Sequence, residues 1–455
     1  MTTPRILRSC ALCAALLAGA CAIGPNYSRP GVQTPDAYKE AGDWIVARPN
    51  DTAPKGKWWE VFGDSALSQL EERVSVSNQT LKAAEARYTQ ARAAVQAARS
   101  GFFPTVALDA SATRARGVPN RYSIALDARW EIDVWGRIRR LVEAARAGEE
   151  ASAADLEAAR LSLQAELATD YFQLRVTDTT IDLLEDSVKA FDASYRVTQN
   201  RYTAGVVGRV DVVQAETQLR STQAQAIDLR VTRAQLENAI AILVGEAPSI
   251  FTLARAPFKV HIPDIPPGLP STLLERRPDV ASAERNMAAA NARIGVAEAA
   301  YFPALTLTGA IGFASTELHS LFSAPSRFWS IGAGLAGTVL DFGGRAAGVT
   351  IARAAFDEDV ANYRETVLEA FQEVENNLAA AHWLAEENKV QQEAARAARE
   401  SVTLTVNQYK AGTVSYLNVV TVQATQLAEE RTMVTLLGRR LAANVALIRA
   451  LGGTW

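Results

Sequence analysis

Two periodicities alternate along the chain. In TVALDASATR the apolar positions Val106, Leu108, Ala110 and Ala112 interleave with Thr105, Asp109, Ser111 and Thr113. In YSIALDARWE, Tyr122, Ile124, Leu126, Ala128 and Trp130 interleave with Ser123, Asp127, Arg129 and Glu131. Further on, Leu305, Leu307, Ile311 and Phe313 oppose Thr306 and Thr308, and Trp329, Ile331, Ala333, Leu335 and Val339 oppose small or polar residues. A period of two predicts β-strands, here at about 105–114, 121–131, 304–314 and 328–340. Strands of about ten residues with one apolar face match outer-membrane strands, and Trp130 and Trp329 suit an interfacial aromatic girdle. The pattern also fits a soluble sheet with one solvated face.

Between the strand pairs the period lengthens. From Gly136 to Tyr202 there is no proline and one further glycine, Gly148. That predicts a helix about 100 Å long. Leu167, Leu174, Ile181, Val188, Tyr195 and Tyr202 recur every seven positions, the spacing of a coiled-coil seam. The returning helix carries Leu229, Leu236 and Leu243 at the same spacing. The corresponding helix before Tyr409 has a weaker seam but is rich in alanine, at Ala394, Ala395, Ala397 and Ala398. Alanine permits close helix approach.

The whole pattern occurs twice. YTAGVVGRVDVV at 202–213 recurs as YKAGTVSYLNVV at 409–420, Phe103-Pro104 as Phe302-Pro303, and Asp133-Val134-Trp135-Gly136-Arg137 as Asp341-Phe342-Gly343-Gly344-Arg345. Leu243-Val244-Gly245 recurs near Ala450-Leu451-Gly452. Four landmarks in one order identify an internal two-fold repeat. The first copy occupies 61–247, with a helical hairpin tip at about 203–210. The second occupies 271–455, with its tip at about 410–417. Residues 248–270 form a proline-rich connector, read as ordered and carrying a short strand at Ile250–Leu253. Residues 21–60 form an extended N-terminal segment along the body. The run Arg276-Arg277-Pro278-Asp279 reads as a helix start, since proline suits the first turn and aspartate the positive end of the helix.

The N-terminus changes the picture. MTTPRILRSCALCAALLAGAC has Arg5 and Arg8, an apolar run and then small residues ending at Cys21, a secretory signal over 1–20. Its end resembles a bacterial lipoprotein signal, with Cys21 as the lipidated first residue. Ala18 stands where leucine is usual, and Ala22 is not the aspartate of an inner-membrane retention signal. Cleavage at the same place without a lipid is the alternative. Cys10, Cys13 and Cys21 are the only cysteines, so the mature chain keeps one and forms no internal disulfide. Export favours the outer-membrane reading of the strands. Beyond the signal no run of 18 apolar residues provides a transmembrane helix, so a membrane crossing requires a closed barrel. Four strands are too few, because about eight are needed to fill a barrel with side chains. Several chains must therefore share one.

Chemistry is sparse. The 455 residues include 47 basic and 50 acidic side chains with no block of one sign, unlike a nucleic-acid footprint. His261, His319 and His382 lie in different elements. There is no phosphate loop, nucleophile elbow or metal-ligand spacing. The chain reads as a non-enzyme without metal or cofactor, apart from a covalent lipid on Cys21.

The lipoprotein start with Gly24-Pro25-Asn26-Tyr27-x-Arg29-Pro30, the paired Phe-Pro and Asp-x-x-Gly-Arg landmarks and the two Tyr-x-Ala-Gly turns together resemble a TolC-type outer-membrane factor. The chain most resembles the lipoprotein branch that serves resistance-nodulation-division efflux pumps. The resemblance implies a mainly α fold with a membrane β-barrel: a homotrimer pooling four strands per chain into a twelve-stranded barrel, above a long antiparallel coiled-coil tunnel. It implies a passive exit duct in the outer membrane, served by a periplasmic adaptor and an inner-membrane pump. It implies adaptor contacts at Ala204, Gly205, Val206, Val207, Ala411, Gly412, Thr413 and Val414. It also implies a periplasmic gate just beyond each turn, in which Asp211 accepts a hydrogen bond from Tyr409. Asn418 and Thr421 occupy positions where relatives often carry aspartates, and Val414 stands where some carry a linking arginine. Arg209 and Tyr416 are candidates for substitute links. A weaker cation preference than in aspartate-bearing relatives is therefore expected. An outlet for type I protein secretion and a non-conducting periplasmic scaffold remain the alternatives.

Overall fold

The computed structural model describes residues 22–31, 38–39, 56–256, 258, 260–263, 265 and 276–453. The signal, Cys21, most of 32–55, and residues 257, 259, 264 and 266–275 in and just after the connector lie outside the described residues. The chain divides into two compact units, one of residues 1–32, 85–155 and 279–366 and the other of 33–84, 156–278 and 367–455.

The first unit contains the sheet. Strands β1 (Thr105–Ala115), β2 (Val118–Ile132), β3 (Ala304–Ser315) and β4 (Arg327–Ala336) pair antiparallel in the order β1-β2-β3-β4. The register aligns the apolar positions of all four strands in rows. Leu108 faces Leu126, Leu126 faces Ile311 and Ile311 faces Trp329. Likewise Trp130 faces Leu307, which faces Ala333. One face is therefore continuously apolar, and it is not covered: Leu108 is 67% and Ile331 82% exposed. β4 stops at Ala336 rather than near 340. Ala336 already pairs with Ala304, the first residue of β3, so nothing remains for 337–340 to bond.

The Asp-x-x-Gly-Arg landmark converts strand into helix. Helix α3 (Arg137–Thr203) follows β2, and α6 (Gly344–Lys410) follows β4. The Asp133 carboxylate accepts from the backbone N–H groups of Ile138 and Arg139, both at 2.9 Å. In the second copy Asp341 accepts from the N–H of Arg345 at 2.9 Å and from its guanidinium at 2.7 Å. These are acceptors for otherwise orphaned donors at a helix start. The hydrogen bonds to Arg345 hold the Asp341 carboxyl below the usual carboxylate range.

The described N-terminal segment is clamped to this unit. Arg140 is buried and donates to the carbonyls of Ile23 and Gly24 and to Asn26 Oδ1, at 3.0–3.1 Å. The Ile23 N–H donates to the Trp135 carbonyl at 3.1 Å. A Cβ on Gly136 (φ 79°) would lie 2.7 Å from the Ala22 side chain, and one on Gly24 (φ 99°) 2.4 Å from Gly295. Glycine permits both approaches. Helix α5 (Pro278–Ala299) begins at the Arg-Arg-Pro-Asp run.

The second unit holds helix α1 (Ser65–Ser77), the first residues of α2 (Gln79–Ser100), and the two hairpins. Helix α4 (Arg209–Leu243) returns from α3 and α7 (Tyr416–Ala450) from α6. Both outgoing helices have 67 residues and both returning helices 35. On α3 the buried line starts as expected at Leu167, Leu174 and Ile181. Nearer the tip it moves to Leu184, Phe191 and Thr198, leaving Tyr202 45% exposed. A 3.6-residue turn drifts about 20° per heptad, so no single column stays inside. On α4 the buried line near the tip is Ala215, Leu219, Thr222 and Ala226 rather than the leucine heptad. Ala395 and Ala398 are buried as expected on α6.

Residues 250–253 form no strand. The Leu253 N–H donates to Glu237 Oε1 at 2.6 Å, and its carbonyl accepts from Arg233 Nη2 at 2.5 Å. Side chains of α4 thus satisfy the backbone that a second strand would otherwise pair.

Candidate gate at the hairpin tips

Both hairpins turn by the same device. After α3, the Gly205 N–H donates to the Tyr202 carbonyl and the Val206 N–H to that of Arg201, each at 2.9 Å. After α6, Gly412 donates to Tyr409 and Thr413 to Gln408, each at 3.0 Å. These pairs are Schellman closures, which need a left-handed residue after the helix; Gly205 has φ 71° and Gly412 φ 76°. Ala204, Gly205, Val206, Ala411, Gly412 and Thr413 are exposed, while Val207 and Val414 are half-buried. The tips thus expose mostly small and apolar groups. Asp211 and Asn418 then occupy equivalent third positions of α4 and α7, their N–H groups donating to Gly208 and Ser415 at 3.2 Å.

The two tips are not equal in packing. Tyr409 and Tyr416 are buried with Val419 against Ala215 of the first hairpin, their rings 5.3 Å apart at 61°. The first-copy counterparts Tyr202 and Arg209 are exposed. Arg201 joins the hairpins: its guanidinium lies 4.6 Å from the Tyr409 ring centre and donates to the Tyr409 carbonyl at 3.3 Å. The Tyr416 hydroxyl lies within hydrogen-bonding reach of Thr198 and Ser194, and burial raises its pKa to about 12.

The hydrogen bond expected from Tyr409 to Asp211 is not formed within the chain. The Tyr409 hydroxyl is buried without a hydrogen-bond partner, because Tyr416 and Arg201 hold its ring in the apolar cluster. Asp211 is half-buried, and its charge acts instead on Tyr416. Asn418 and Thr421 are exposed, the Thr421 hydroxyl donating to the Leu417 carbonyl at 2.9 Å. Sequence reasoning missed Arg201, Ser194 and Thr198. The last two are four apart and share a helix face, a signal that was present; Arg201 stands out only because its counterpart is Gln408.

Among the described residues no cluster of His, Cys, Asp and Glu could hold a metal ion, and no helix is long and apolar enough to cross a membrane.

Comparison with known proteins covers nearly the whole chain. The sequence profile of the family described as outer membrane efflux protein matches residues 70–246 and 269–453, one match per repeat. The outer membrane protein OprJ of Pseudomonas aeruginosa is 31% identical over 98% of this chain and 95% of its own. The cation efflux system protein CusC of Escherichia coli is 27% identical over 97% and 98%. The solved outer-membrane channel OprN superposes with a TM-score of 0.89 at 31% identity, covering 96% of this chain and all of that one. The chain belongs to the outer membrane efflux protein family and is an outer-membrane protein.

Proposed function

We propose that three copies of this chain form a passive exit duct across the outer membrane, receiving small molecules from an inner-membrane resistance-nodulation-division pump through a periplasmic adaptor. The observation that carries the reading is the four-stranded sheet, apolar and uncovered on one face and open at both edges, β1 and β4. Hydrocarbon tolerates an apolar face but not an open edge. Pairing β4 of one copy with β1 of the next removes every edge. The duct has no catalytic role. Its substrate is what the pump delivers: relatives bear names as different as cation efflux and toluene efflux, and their shared fold does not separate those cargoes.

The clamp on residues 22–31 supports a lipid on Cys21. Arg140 binds the Ile23 carbonyl and Gly136 packs on Ala22, holding the residues that follow Cys21 in sequence beside the end of β2 where the helices leave the sheet. The tip residues 204–207 and 411–414 would meet the adaptor, Ala204, Gly205, Val206, Ala411, Gly412 and Thr413 through their exposed surfaces. Arg209, Asp211, Tyr409, Tyr416, Asn418 and Thr421 would line the gate.

The test is to extract the chain from outer membranes in detergent, look for heat-modifiable trimers and record their conductance in planar bilayers. A water-soluble, non-conducting mature chain overturns the duct. Radiolabelled palmitate incorporated by the parent and lost in Cys21→Ser tests the lipid.

A further inference from the structure

The uncovered apolar face of the sheet contains a cavity of about 560 Å³, lined chiefly by Leu108, Leu126, Ile311, Phe313, Trp329 and the loop residue Phe322. That volume lies within the ~300–1,000 Å³ range of ligand sites. Arg327 stands on its rim, with the guanidinium 5.9 Å from the Phe313 ring centre. The register sets the height of Arg327. It pairs with Phe313 at the turn end of the apolar rows, eight residues along β3 from Leu305. Eight residues span about 27 Å along a strand. Tilted by ~40° as in outer-membrane barrels, that covers about 21 Å of the ~25 Å apolar band. Arg327 therefore sits near the upper edge of the hydrocarbon, within reach of the headgroups by its long side chain, opposite the end where α3 and α6 leave the sheet.

The same end carries further positive charge. Arg114 and Arg116 border the β1–β2 turn, and Arg121 follows it. All four arginines are exposed, and none is ion-paired among the described residues. The one carboxylate between β3 and β4, Glu317, lies 3.4 Å from His319. An arginine beside hydrocarbon is costly unless an anion meets it at the interface. The abundant anions at that depth are lipid phosphates, which guanidinium groups bind well. The cavity opens toward lipid rather than the lumen, because the opposite face carries Asp109, Ser111, Ser123, Asp127 and Arg129.

We infer that each chain holds one phosphorylated, acylated lipid of the outer leaflet, with an acyl chain in the cavity under Phe322 and a headgroup phosphate on Arg327. The inference rests on the duct reading, which places the helices in the periplasm and these turns at the cell surface.

Full-length protein is reconstituted into phosphatidylcholine nanodiscs doped with lipid A, or with the same lipid dephosphorylated. Native mass spectrometry then counts lipids retained per chain. Selective retention of phosphorylated lipid A is expected, reduced about tenfold in Arg327→Ser, a loss of ~1.4 kcal/mol, and partly restored in Arg327→Lys. Leu126→Trp, which fills the cavity, also lowers retention. Equal retention of the two lipids, or parent-like retention by Arg327→Ser and Leu126→Trp, overturns the site. Trimer extraction and conductance separate the two readings: an intact channel without retained lipid sinks only this inference, whereas a chain that forms no trimer sinks the duct.

Discussion

Glu71 on α1 is fully buried, and neither carboxylate oxygen has a hydrogen-bond partner. Burial raises its pKa from 4.5 to about 9, so the folded chain holds a proton that the unfolded chain releases. Between about pH 5 and pH 9 the unfolded state binds fewer protons, and stability falls as pH rises. Glu71→Gln, neutral throughout, should match the parent at about pH 5 and exceed it near pH 9, as thermal unfolding at the two pH values would show. Arg201 is a second residue whose role rests on its surroundings. A cation–π contact of about 0.5–2 kcal/mol and a hydrogen bond of about 1 kcal/mol tie the first hairpin to Tyr409. Arg201→Ala should raise the open probability of reconstituted trimers, with Arg201→Lys intermediate. Unchanged gating would remove Arg201 from the gate.

At the scale of the element, glycines of similar φ have different surroundings. A Cβ added to Gly205 or Gly412 would meet nothing within 4 Å, whereas a Cβ on Gly245 (φ 74°) would lie 2.4 Å from the Ser77 carbonyl oxygen. Gly412→Ala should therefore cost only the left-handed penalty, about 1–2 kcal/mol. Gly245→Ala should cost more, because the end of α4 must also move off α1. Denaturant melts of the two variants rank these costs, and equal values would refute the argument. The N-terminal clamp behaves as another element. Arg140→Ala removes three hydrogen bonds to residues 23–26, so limited proteolysis should cleave there faster while the sheet stays intact.

At the scale of the whole molecule, the repeat has become asymmetric. The hairpins share one spacing, 67 and 35 residues in each copy, and the same glycine closure. They diverge at the side chains that would line a shared mouth: Asp211 against Asn418, Arg209 against Tyr416, Arg201 against Gln408. Only the second copy has a tyrosine pair at this place, and it is buried. In a trimer, Asn418→Asp would add three exposed carboxylates. Reversal potentials under a salt gradient should then move toward stronger cation selectivity, and no shift would place Asn418 away from the conducting path.

The sequence alone determined the strands, the long helices, the two tips and the family, because each is written in local periodicity or in an ordered set of short motifs. It did not reveal which heptad column is buried near the tip, because helical drift and the neighbouring hairpin decide that together. It misplaced the end of β4, since a strand lasts only as long as its partner, and it inferred a strand at 250–253 where α4 side chains satisfy the backbone. It paired Tyr409 with Asp211, whereas packing joined Tyr409 to Arg201 and Tyr416. These are contacts between residues up to some two hundred positions apart in sequence, whose geometry depends on the packing of whole helices and leaves no periodic trace in either segment.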